Sequence, residues 1–440
     1  MANIKFWMTV VVLIVLGYVA VNIVSILSTS NIVSNKIRFV SLAWQEQSIA
    51  ANREIVEEWN RLNPDREVEY IQASWNSIYD YLITSFETEG VPDVFHYESS
   101  IIVDFASRGY LIDLAPFISD EMKSDIMDVA WASVSRPNGE INGIPFLMDS
   151  YIGLYNKDIF ERNKIDPPAH ENPWSWERVK EVGVQLTQDT DGDGKIDQWG
   201  IGMGLRNSAN LVMNHSISFG GSFFTKENDK FVVRVGDEEK ELLRSIVEMY
   251  HDLKCMSPES IGKSGSEIIL SFMRGRSAMV IGIGAAFRQQ LVENAPEGFH
   301  WGVMPPLISK TQNTGISTQT YSIPKKAKKQ QDGFDFINFA LNSENMAKLA
   351  LTDWMLPSRK SCLALPQFNE LDNGWKLVVN SVDFLTVGSW LGAPGYSEWK
   401  GRVANPILQE LFAGRLSVEE ASKRIEIESN LVLSRYQRTK

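Results

Sequence analysis

The feature that most constrains the fold is a regular alternation of short apolar segments with longer amphipathic segments after residue 36. The apolar segments have the length of strands, and the segments between them repeat their apolar side chains at helical spacing. The predicted strands are 37–42, 68–71 and 92–95, and the predicted helices are 48–62, 78–86 and 101–108. Ser48 can cap the first helix, and Pro64, Gly90 and Gly109 follow the three helix ends. The alternation predicts an α/β lobe with a parallel sheet covered by helices on both faces.

The remaining chain is long enough for a second core. Its pattern predicts a strand near 151–155, helices over 176–186, 242–253 and 267–274, and a strand of small residues over 278–283. Sheet is predicted again near 301–307, and residues 321–351 are predicted to pass through the first lobe a second time. The end of the chain, through 416–433, is predicted to be mostly helical.

The amino terminus carries an apolar run over residues 6–27, after Lys5. A helix of about 22 residues spans about 33 Å, enough to cross the hydrocarbon core of a bilayer. Because Lys5 is the sole charge before Lys36, the positive end is expected to stay in the cytoplasm while the rest of the chain is exported. The run predicts a transmembrane anchor, with cleavage near 28–30 as the alternative. Either way, the protein is expected in the periplasm or at the cell surface.

Charge and cysteine content exclude several classes of function. The formal net charge of −12 disfavours a nucleic-acid partner. Cys255 and Cys362 cannot build a disulfide framework or a zinc site, and buried thiols are favoured over one long-range bridge. The five histidines lack metal-binding spacing, and the chain has neither a nucleophile elbow nor a phosphate-binding loop.

An acidic loop carries carboxylates at alternating positions, interrupted by glycines. Asp189, Asp191, Asp193 and Asp197 can converge on a hard cation such as Ca²⁺, as in an EF-hand loop. The twelfth position is Gly200, where an EF-hand supplies a bidentate glutamate. A calcium site and a solvated loop therefore both remain open.

Aromatic and planar polar side chains follow several predicted strands and loops. Sugar rings need flat partners for their C–H faces and side chains that donate and accept hydrogen bonds at their hydroxyls. The candidates are Trp44, Gln45, Glu46, Tyr97, Glu98, Asp149, Tyr151, Asn207, Asn210, Trp390, Tyr396 and Trp399. A sugar site at the strand ends is the functional prediction; burial in the core is the alternative for each ring.

A series of short motifs occurs in a fixed order over nearly all of residues 36–430. They are Pro92-Asp93-Val94-Phe95, Gly109-Tyr-Leu-Ile-Asp113-Leu114, Gly143-Ile-Pro145-Phe146, Leu154-Tyr155-Asn156-Lys157-Asp158, Pro167-Pro168, Trp174-Ser-Trp176-Glu177, the acidic loop, Phe219-Gly220-Gly221, Phe272-Met273-Arg274-Gly275-Arg276-Ser277-Ala278-Met279, Pro305-Pro306 and Gly414-Arg-Leu-Ser417-Val-Glu419-Glu420-Ala421. In this order they resemble the family 1 extracellular solute-binding proteins, the carbohydrate-binding subunits of ABC importers that include maltose-binding protein.

The resemblance implies a periplasmic-binding-protein-like (type II) fold, in which two α/β lobes close on a ligand between them. It implies a first lobe of residues 36–148 and 304–352 and a second lobe of 149–303 and 353–440, after an amino-terminal segment of 1–35. It also implies a monomer that needs no cofactor and performs no chemistry. Such a protein delivers a sugar or oligosaccharide to the permease subunits of an ABC transporter.

The resemblance also assigns roles to individual residues. Asp149 matches a sugar-binding acid after the Pro-Phe strand, Tyr97 a contact beyond the Pro-Asp strand, and Glu46 a position in the first strand-to-helix turn. Trp399 lies near a stacking aromatic residue of the late helical region. After Met279 the family commonly has a stacking Trp, whereas this chain offers Phe287. The lipid-carrying cysteine is absent near the amino terminus, so the anchor over 6–27 would replace it.

Two other functions compete with this prediction. An extracellular glycoside hydrolase would use Asp149 and a second carboxylate. A sensor ectodomain would pass the state of its ligand to a partner, but the chain shows no second transmembrane helix and no signalling domain after residue 36.

Overall fold

The computed structural model describes residues 35–437, except residues 89, 137 and 371. The apolar run over 6–27 lies outside the described residues. Within the described part, no helix combines the length and the apolar character needed to cross a membrane.

Fourteen strands are found in the described part of the chain. They are β1 (Ile37–Ser41), β2 (Val68–Gln72), β3 (Val94–Glu98), β4 (Ile144–Asp149), β5 (Tyr151–Asn156), β6 (Trp199–Gly202), β7 (Phe224–Glu227), β8 (Lys230–Val233), β9 (Ser277–Gly284), β10 (Trp301–Met304), β11 (Thr314–Gly315), β12 (Ser317–Ser322), β13 (Leu356–Pro357) and β14 (Leu385–Thr386).

The α-helices of the described part surround these strands. They are α1 (Glu46–Leu62), α2 (Ile78–Glu87), α3 (Ser99–Ser107), α4 (Asp120–Asp125), α5 (Asp128–Ala132), α6 (Lys157–Arg162), α7 (Trp176–Gln185), α8 (Ala209–Phe219), α9 (Asp237–Val247), α10 (Gly265–Met273), α11 (Arg288–Asn294), α12 (Gln330–Ala340), α13 (Ser343–Asp353), α14 (Lys360–Leu363), α15 (Trp375–Asn380), α16 (Tyr396–Trp399), α17 (Asn405–Phe412) and α18 (Val418–Gln437).

The first lobe is built on a six-stranded sheet of order β13-β4-β12-β3-β1-β2. Strands β1, β2 and β3 are parallel, as their alternation with α1 and α2 predicts. Strand β12 enters antiparallel between β3 and β4, and β13 pairs antiparallel with β4. The parallel pairing predicted for these three strands is therefore confirmed, and the sheet is completed by antiparallel strands that lie far from them in sequence.

The second lobe contains a four-stranded sheet of order β10-β5-β9-β6, in which only the β6–β9 pair of these neighbours is parallel. Strand β9 is buried along its whole length, which explains its small and apolar residues. The pair β7–β8 forms a hairpin and β11–β14 a short parallel ladder. The lobe boundaries stay a prediction; β13 lies in the first sheet although its residues fall within the range 353–440 assigned to the second lobe.

Three buried clusters hold the molecule together. One packs α2 and α3 against β1 and β3, and a second packs α7, α8, α9, α17 and α18 around the second sheet. The largest runs from the other side of the first sheet to β5, β9, α10, α11 and α15, so apolar packing is continuous between the two sheets. Cys255 and Cys362 are buried free thiols in different clusters, which confirms the preferred interpretation.

Two local predictions need correction. Helix α1 begins at Glu46 after Gln45, which makes no side-chain capping bond, and Ser48 lies inside the first turn rather than at the cap. Ser48 is fully buried there, since this turn packs against the end of α13 near Asp353. The helix predicted over 242–253 starts earlier, at Asp237, and continues after Val247 as a π-helical turn, Glu248–Asp252.

Candidate functional site

A cavity lies where the chain crosses from the first sheet to the second. Strand β4 ends at Asp149 and β5 begins at Tyr151, so Ser150 alone separates the two sheets at this point. The cavity measures about 160 Å³. This is below the range of about 300–1,000 Å³ usual for ligand sites. Both lobes contribute to its wall, through Glu98, Asp149, Tyr151, Asn210, Asn214, Trp390, Tyr396 and Lys400 among others.

Asp149 is held in place by main-chain groups around its carboxylate. Burial raises its pKa to about 6, while the N–H groups of Ala286, Ala285 and Ser150 act in the opposite direction. The Ser150 N–H donates to Oδ1 at 3.0 Å. A Cβ built on Gly284 would lie 2.5 Å from Oδ2, so the carboxylate occupies space that a side chain there would fill. At neutral pH the Asp149 side chain is therefore ionised, and the surrounding main-chain groups orient its carboxylate in the cavity wall.

The buried Arg288 lies behind this carboxylate and lowers its pKa through its charge. Its guanidinium donates to the carbonyl oxygens of Ala285, Asn373 and Trp354 at 2.9, 2.9 and 3.2 Å. The Trp375 ring lies 4.2 Å from the guanidinium carbon. Burial lowers the pKa of Arg288 to about 9, yet the group remains cationic at neutral pH. Arg288 therefore fixes the wall that carries Asp149.

Two tyrosines bring aromatic surface and hydroxyl groups to the cavity. Burial raises the pKa of Tyr151 and Tyr396, and the negative charge of Glu98 acts on both. Tyr396 stacks on Trp399 with ring centroids 5.4 Å apart, and Tyr151 contacts His215 edge to face at 5.8 Å. Both phenols stay protonated and can donate hydrogen bonds at any physiological pH.

Helix α8 supplies two amides, Asn210 and Asn214. Asn214 Nδ2 donates to the Asn210 carbonyl oxygen at 2.7 Å, while its buried Oδ1 has no hydrogen-bond partner within the described residues. The Ala209 N–H donates to Asn405 Oδ1 at 2.9 Å, which fixes the start of the helix. The Oδ1 atom is packed against Gly315, where a side chain would collide with it.

Glu98 and Lys400 place one charge of each sign at the cavity, from opposite lobes. Ser100 Oγ donates to Glu98 Oε1 at 3.1 Å, and the Lys400 ammonium lies 5.7 Å from the Tyr396 ring centroid. Across residues 35–437, apart from the three gaps, neither charge has an ion-pair partner within 4.0 Å. Both remain available for polar groups of a ligand.

Trp390 closes the cavity beside the β11–β14 ladder. Its indole lies on the main chain of Gly388, because a Cβ built there would be 2.2 Å from Cζ2 of the ring. Trp390 is 8% exposed and lines the cavity. The arrangement combines flat rings, amides and oppositely charged groups, and it suits a polar ligand with several hydroxyl groups.

A family model described as bacterial extracellular solute-binding protein matches residues 43–347. The chain is a bacterial extracellular solute-binding protein. This family consists of binding proteins, and the two-lobe α/β architecture agrees with the membership.

Several relatives and solved structures are similar to this chain. It is 36% identical over 385 residues to an uncharacterized lipoprotein in the oleD 5′ region of Streptomyces antibioticus, covering 86% of this chain and 82% of the relative. It is 23% identical over 301 residues, 66% of each chain, to an arabinooligosaccharide-binding protein of Bacillus subtilis. The fold matches an ABC substrate-binding protein of Listeria monocytogenes in complex with cycloalternan, with a TM-score of 0.73, 20% identity and coverage of 91% and 99%. A putative oligosaccharide-binding protein of Synechococcus matches with a TM-score of 0.76, 17% identity and coverage of 91% and 100%.

In the solute-binding protein, four of the nine predicted ligand contacts lie together at the cavity: Asp149, Tyr151, Asn210 and Trp390. Two residues of the wider sugar-binding set, Glu98 and Tyr396, join them. The additional lining residues Asn214 and Lys400 were not predicted. Asn214 follows Asn210 by four residues, so helical spacing could have identified it.

The other five predicted contacts lie elsewhere. Trp399 is buried and its indole N–H donates to Ser429 Oγ at 2.6 Å, and Tyr97 packs under Trp75 with ring centroids 5.7 Å apart. Phe287 packs against the largest apolar cluster. Glu46 lines a separate surface depression on α1, and Trp44 is 47% exposed beyond β1. Trp75 follows the end of β2, and its indole N–H donates to the Leu42 carbonyl oxygen at 2.9 Å.

The acidic loop brings one carboxylate oxygen each from Asp189, Asp191 and Asp193 within 4.8 Å of one another. Asp189 accepts N–H groups of Gly192 and Gly194 at 2.7 and 2.8 Å, whereas Asp197 binds Thr190. These bonds lower the pKa of both carboxylates. The loop of the solute-binding protein can thus offer three oxygens to a cation, with Asp197 engaged in bracing the turn.

Proposed function

We propose that the protein captures a sugar or oligosaccharide between its lobes and delivers it to the permease subunits of an ABC transporter. The observation that supports this most is the cavity at the crossover, where Asp149 and Tyr151 face Tyr396, Trp390 and the amides of α8. A relative named for arabinooligosaccharide binding and the fold shared with a cycloalternan complex support the same ligand class.

Binding would combine two effects. Ring stacking removes the C–H faces of the sugar from water, and the carboxylates and amides replace the hydrogen bonds that its hydroxyl groups lose. Closure then strengthens these hydrogen bonds because it excludes water from the cavity. The transfer of an unaltered ligand requires no catalytic group and no cofactor.

The first test is a thermal-shift screen of saccharides, each with and without calcium, because a ligand that binds only the native state raises its melting temperature. With a saccharide identified, Asp149→Ala and Asp149→Asn are expected to weaken binding roughly 10- to 100-fold, the effect of losing a hydrogen bond to a charged group. Calorimetry measures the affinity, and Asp166→Ala, at an exposed loop position, is the matched control. Unchanged affinity in both Asp149 variants would remove Asp149 from the site.

Glycoside hydrolysis is the second candidate, because the cavity contains a second carboxylate, Glu98, beside an Asp149 whose pKa is raised to about 6. A raised pKa is a property of the general acid in such enzymes. Incubation of oligosaccharides with the protein for many hours separates the two functions. Intact sugar bound in stoichiometric amounts supports transport, and released products support hydrolysis.

The membrane assignment is part of the same proposal. Residues 6–27 would anchor a monomeric binding protein outside the cytoplasmic membrane, close to its permease, or would be removed after export. The relative described as a lipoprotein supports an attachment to the membrane. Mass measurement of the protein recovered from the membrane fraction distinguishes an intact amino terminus from a cleaved one.

A further inference from the structure

Helix α3 of the first lobe links the cavity with a second interlobe contact. Its first residues, Ser99 and Ser100, line the cavity next to Glu98. Its last turn lines a separate crevice of about 350 Å³ with Gly395 and Glu398 of the second lobe. The two ends of one helix therefore meet the second lobe at different places, and the crevice and the cavity are lined by different residues.

The contact at the crevice is close. A Cβ built on Gly392 would lie 3.1 Å from Val103 Cγ1, so the side chain of Val103 packs directly on the main chain of this turn. The N–H of Gly395 acts on the Asp104 carboxylate and lowers its pKa. Gly392 and Gly395 both have positive φ, 77° and 74°, which gives the turn the shape that allows this approach.

The same contact leaves one polar group poorly satisfied. Asp104 is 7% exposed, and its Oδ2 pairs with Arg108 at 2.7 Å. Within the described residues no donor reaches its buried Oδ1 in hydrogen-bond geometry, so the Gly395 N–H offsets the burial of the carboxylate only in part. Burial is the largest influence on Asp104 and raises its pKa. If the lobes separate, water can reach this oxygen, so the carboxylate favours the open state while Val103 favours the closed one.

We propose that the contact between α3 and the turn 392–395 is a latch for lobe closure, held by Val103 and weakened by Asp104. The latch sets the population of the closed state and hence the affinity for whatever occupies the cavity, without touching that ligand. This inference rests on the lobe closure of the proposed function but not on the identity of the ligand.

The test measures closure in the ligand-free protein. Spin labels at Glu57→Cys on α1 and Lys230→Cys on β8, both exposed positions, report the distance between the lobes. The native cysteines can remain, since both are buried and burial raises their thiol pKa to about 11. Val103→Ala is expected to lower the ratio of closed to open molecules roughly three- to tenfold, from the loss of two packed methyl groups. Asp104→Asn is expected to raise this ratio by about threefold, because the carboxylate charge, which burial disfavours, is replaced by a neutral amide.

Ser107→Ala is the control, because its hydroxyl bonds only the Asp104 carbonyl oxygen of the same helix, at 2.7 Å, and it should leave the distances unchanged. Val103→Thr keeps the side-chain shape and replaces Val103→Ala in the distance measurement if the alanine variant has a low melting temperature. Opposite shifts for the two variants support the latch. Distances that do not change in either variant, or a more open Asp104→Asn, would overturn it. If the spin-label distances support the latch but no saccharide binds in the thermal-shift screen, only the proposed ligand is rejected.

Discussion

Gly284 is the residue on which the orientation of Asp149 depends most directly. It has ordinary φ and ψ values, so its missing side chain matters for space rather than for main-chain freedom. The Asp149 carboxylate lies next to the missing side chain, because a Cβ built on Gly284 would be 2.5 Å from Oδ2. A contact of that length forces one of the two groups to move.

Gly284→Ala is therefore expected to displace Asp149 and to lower saccharide affinity by about tenfold, the usual effect of one lost charged hydrogen bond. The melting temperature should fall only slightly, because the main chain at this position accepts alanine. Calorimetry and thermal unfolding measure the two effects. Gly262→Ala is the control, since nothing lies within 4 Å of a Cβ built there. Equal saccharide affinities for the two variants would show that the space at Gly284 does not orient Asp149.

At the scale of the element, the turn after α8 explains one of the motifs that carry the family resemblance. Gly220 ends the helix at φ 88°, a left-handed conformation that glycine adopts without strain. The buried Glu239 of α9 accepts N–H groups from Ser222, Phe223 and Gly236 at 2.6, 3.0 and 2.8 Å. The motif Phe219-Gly220-Gly221 thus joins α8, which carries the two cavity amides, to the start of α9.

Glu239→Gln should destabilise this joint, because an amide offers one acceptor oxygen in place of two and buries an NH₂ group without a partner. The expected loss is about 2 kcal/mol, which thermal unfolding measures as a lower melting temperature. Glu241→Gln, an exposed position on the same helix, should be neutral within about 0.5 kcal/mol. Saccharide affinity should fall in the Glu239 variant alone if the joint positions Asn210 and Asn214.

The elements themselves could be predicted well from sequence, but their pairing could not. Helices α1, α2 and α3 end within about two residues of the predicted positions, because spacing and stop signals are local. The place of β12 between β3 and β4 depends on residues more than 150 positions apart in sequence, as in the pair Ser317–Asp149.

The same limit applies to the prediction of the site residues. Tyr396 and Trp399 are three residues apart on a short helix, and sequence could not decide which of them faces the cavity.

For the whole molecule, four buried groups whose shifted pKa values lie between about 4 and 7 act in opposite directions on the pH dependence of stability. Burial raises the pKa of Asp149 to about 6 and of Asp353 to about 7, so the native state holds protons that the unfolded chain has released. Burial lowers the pKa of His96 and His215 to about 4, so the unfolded chain holds protons that the native state lacks. The carboxyl groups make stability fall as pH rises through about 4–7, and the imidazoles make it rise through about 4–6.5. The two contributions nearly cancel.

The native protein is therefore expected to keep a nearly constant melting temperature between about pH 5 and pH 7, and Asp353→Asn should remove this balance. Asp353 is 4% exposed, and its Oδ1 has no hydrogen-bond partner within the described residues, so the amide fits the same space without a charge. Without one of the two carboxyl groups the imidazoles dominate, and stability should rise with pH by about 1 kcal/mol per unit over this window. Calorimetric unfolding at several pH values measures the slope, and Asp191→Asn, on the exposed loop, should retain the native profile. A variant with the same flat profile as the native protein would show that Asp353 is ionised in the folded state.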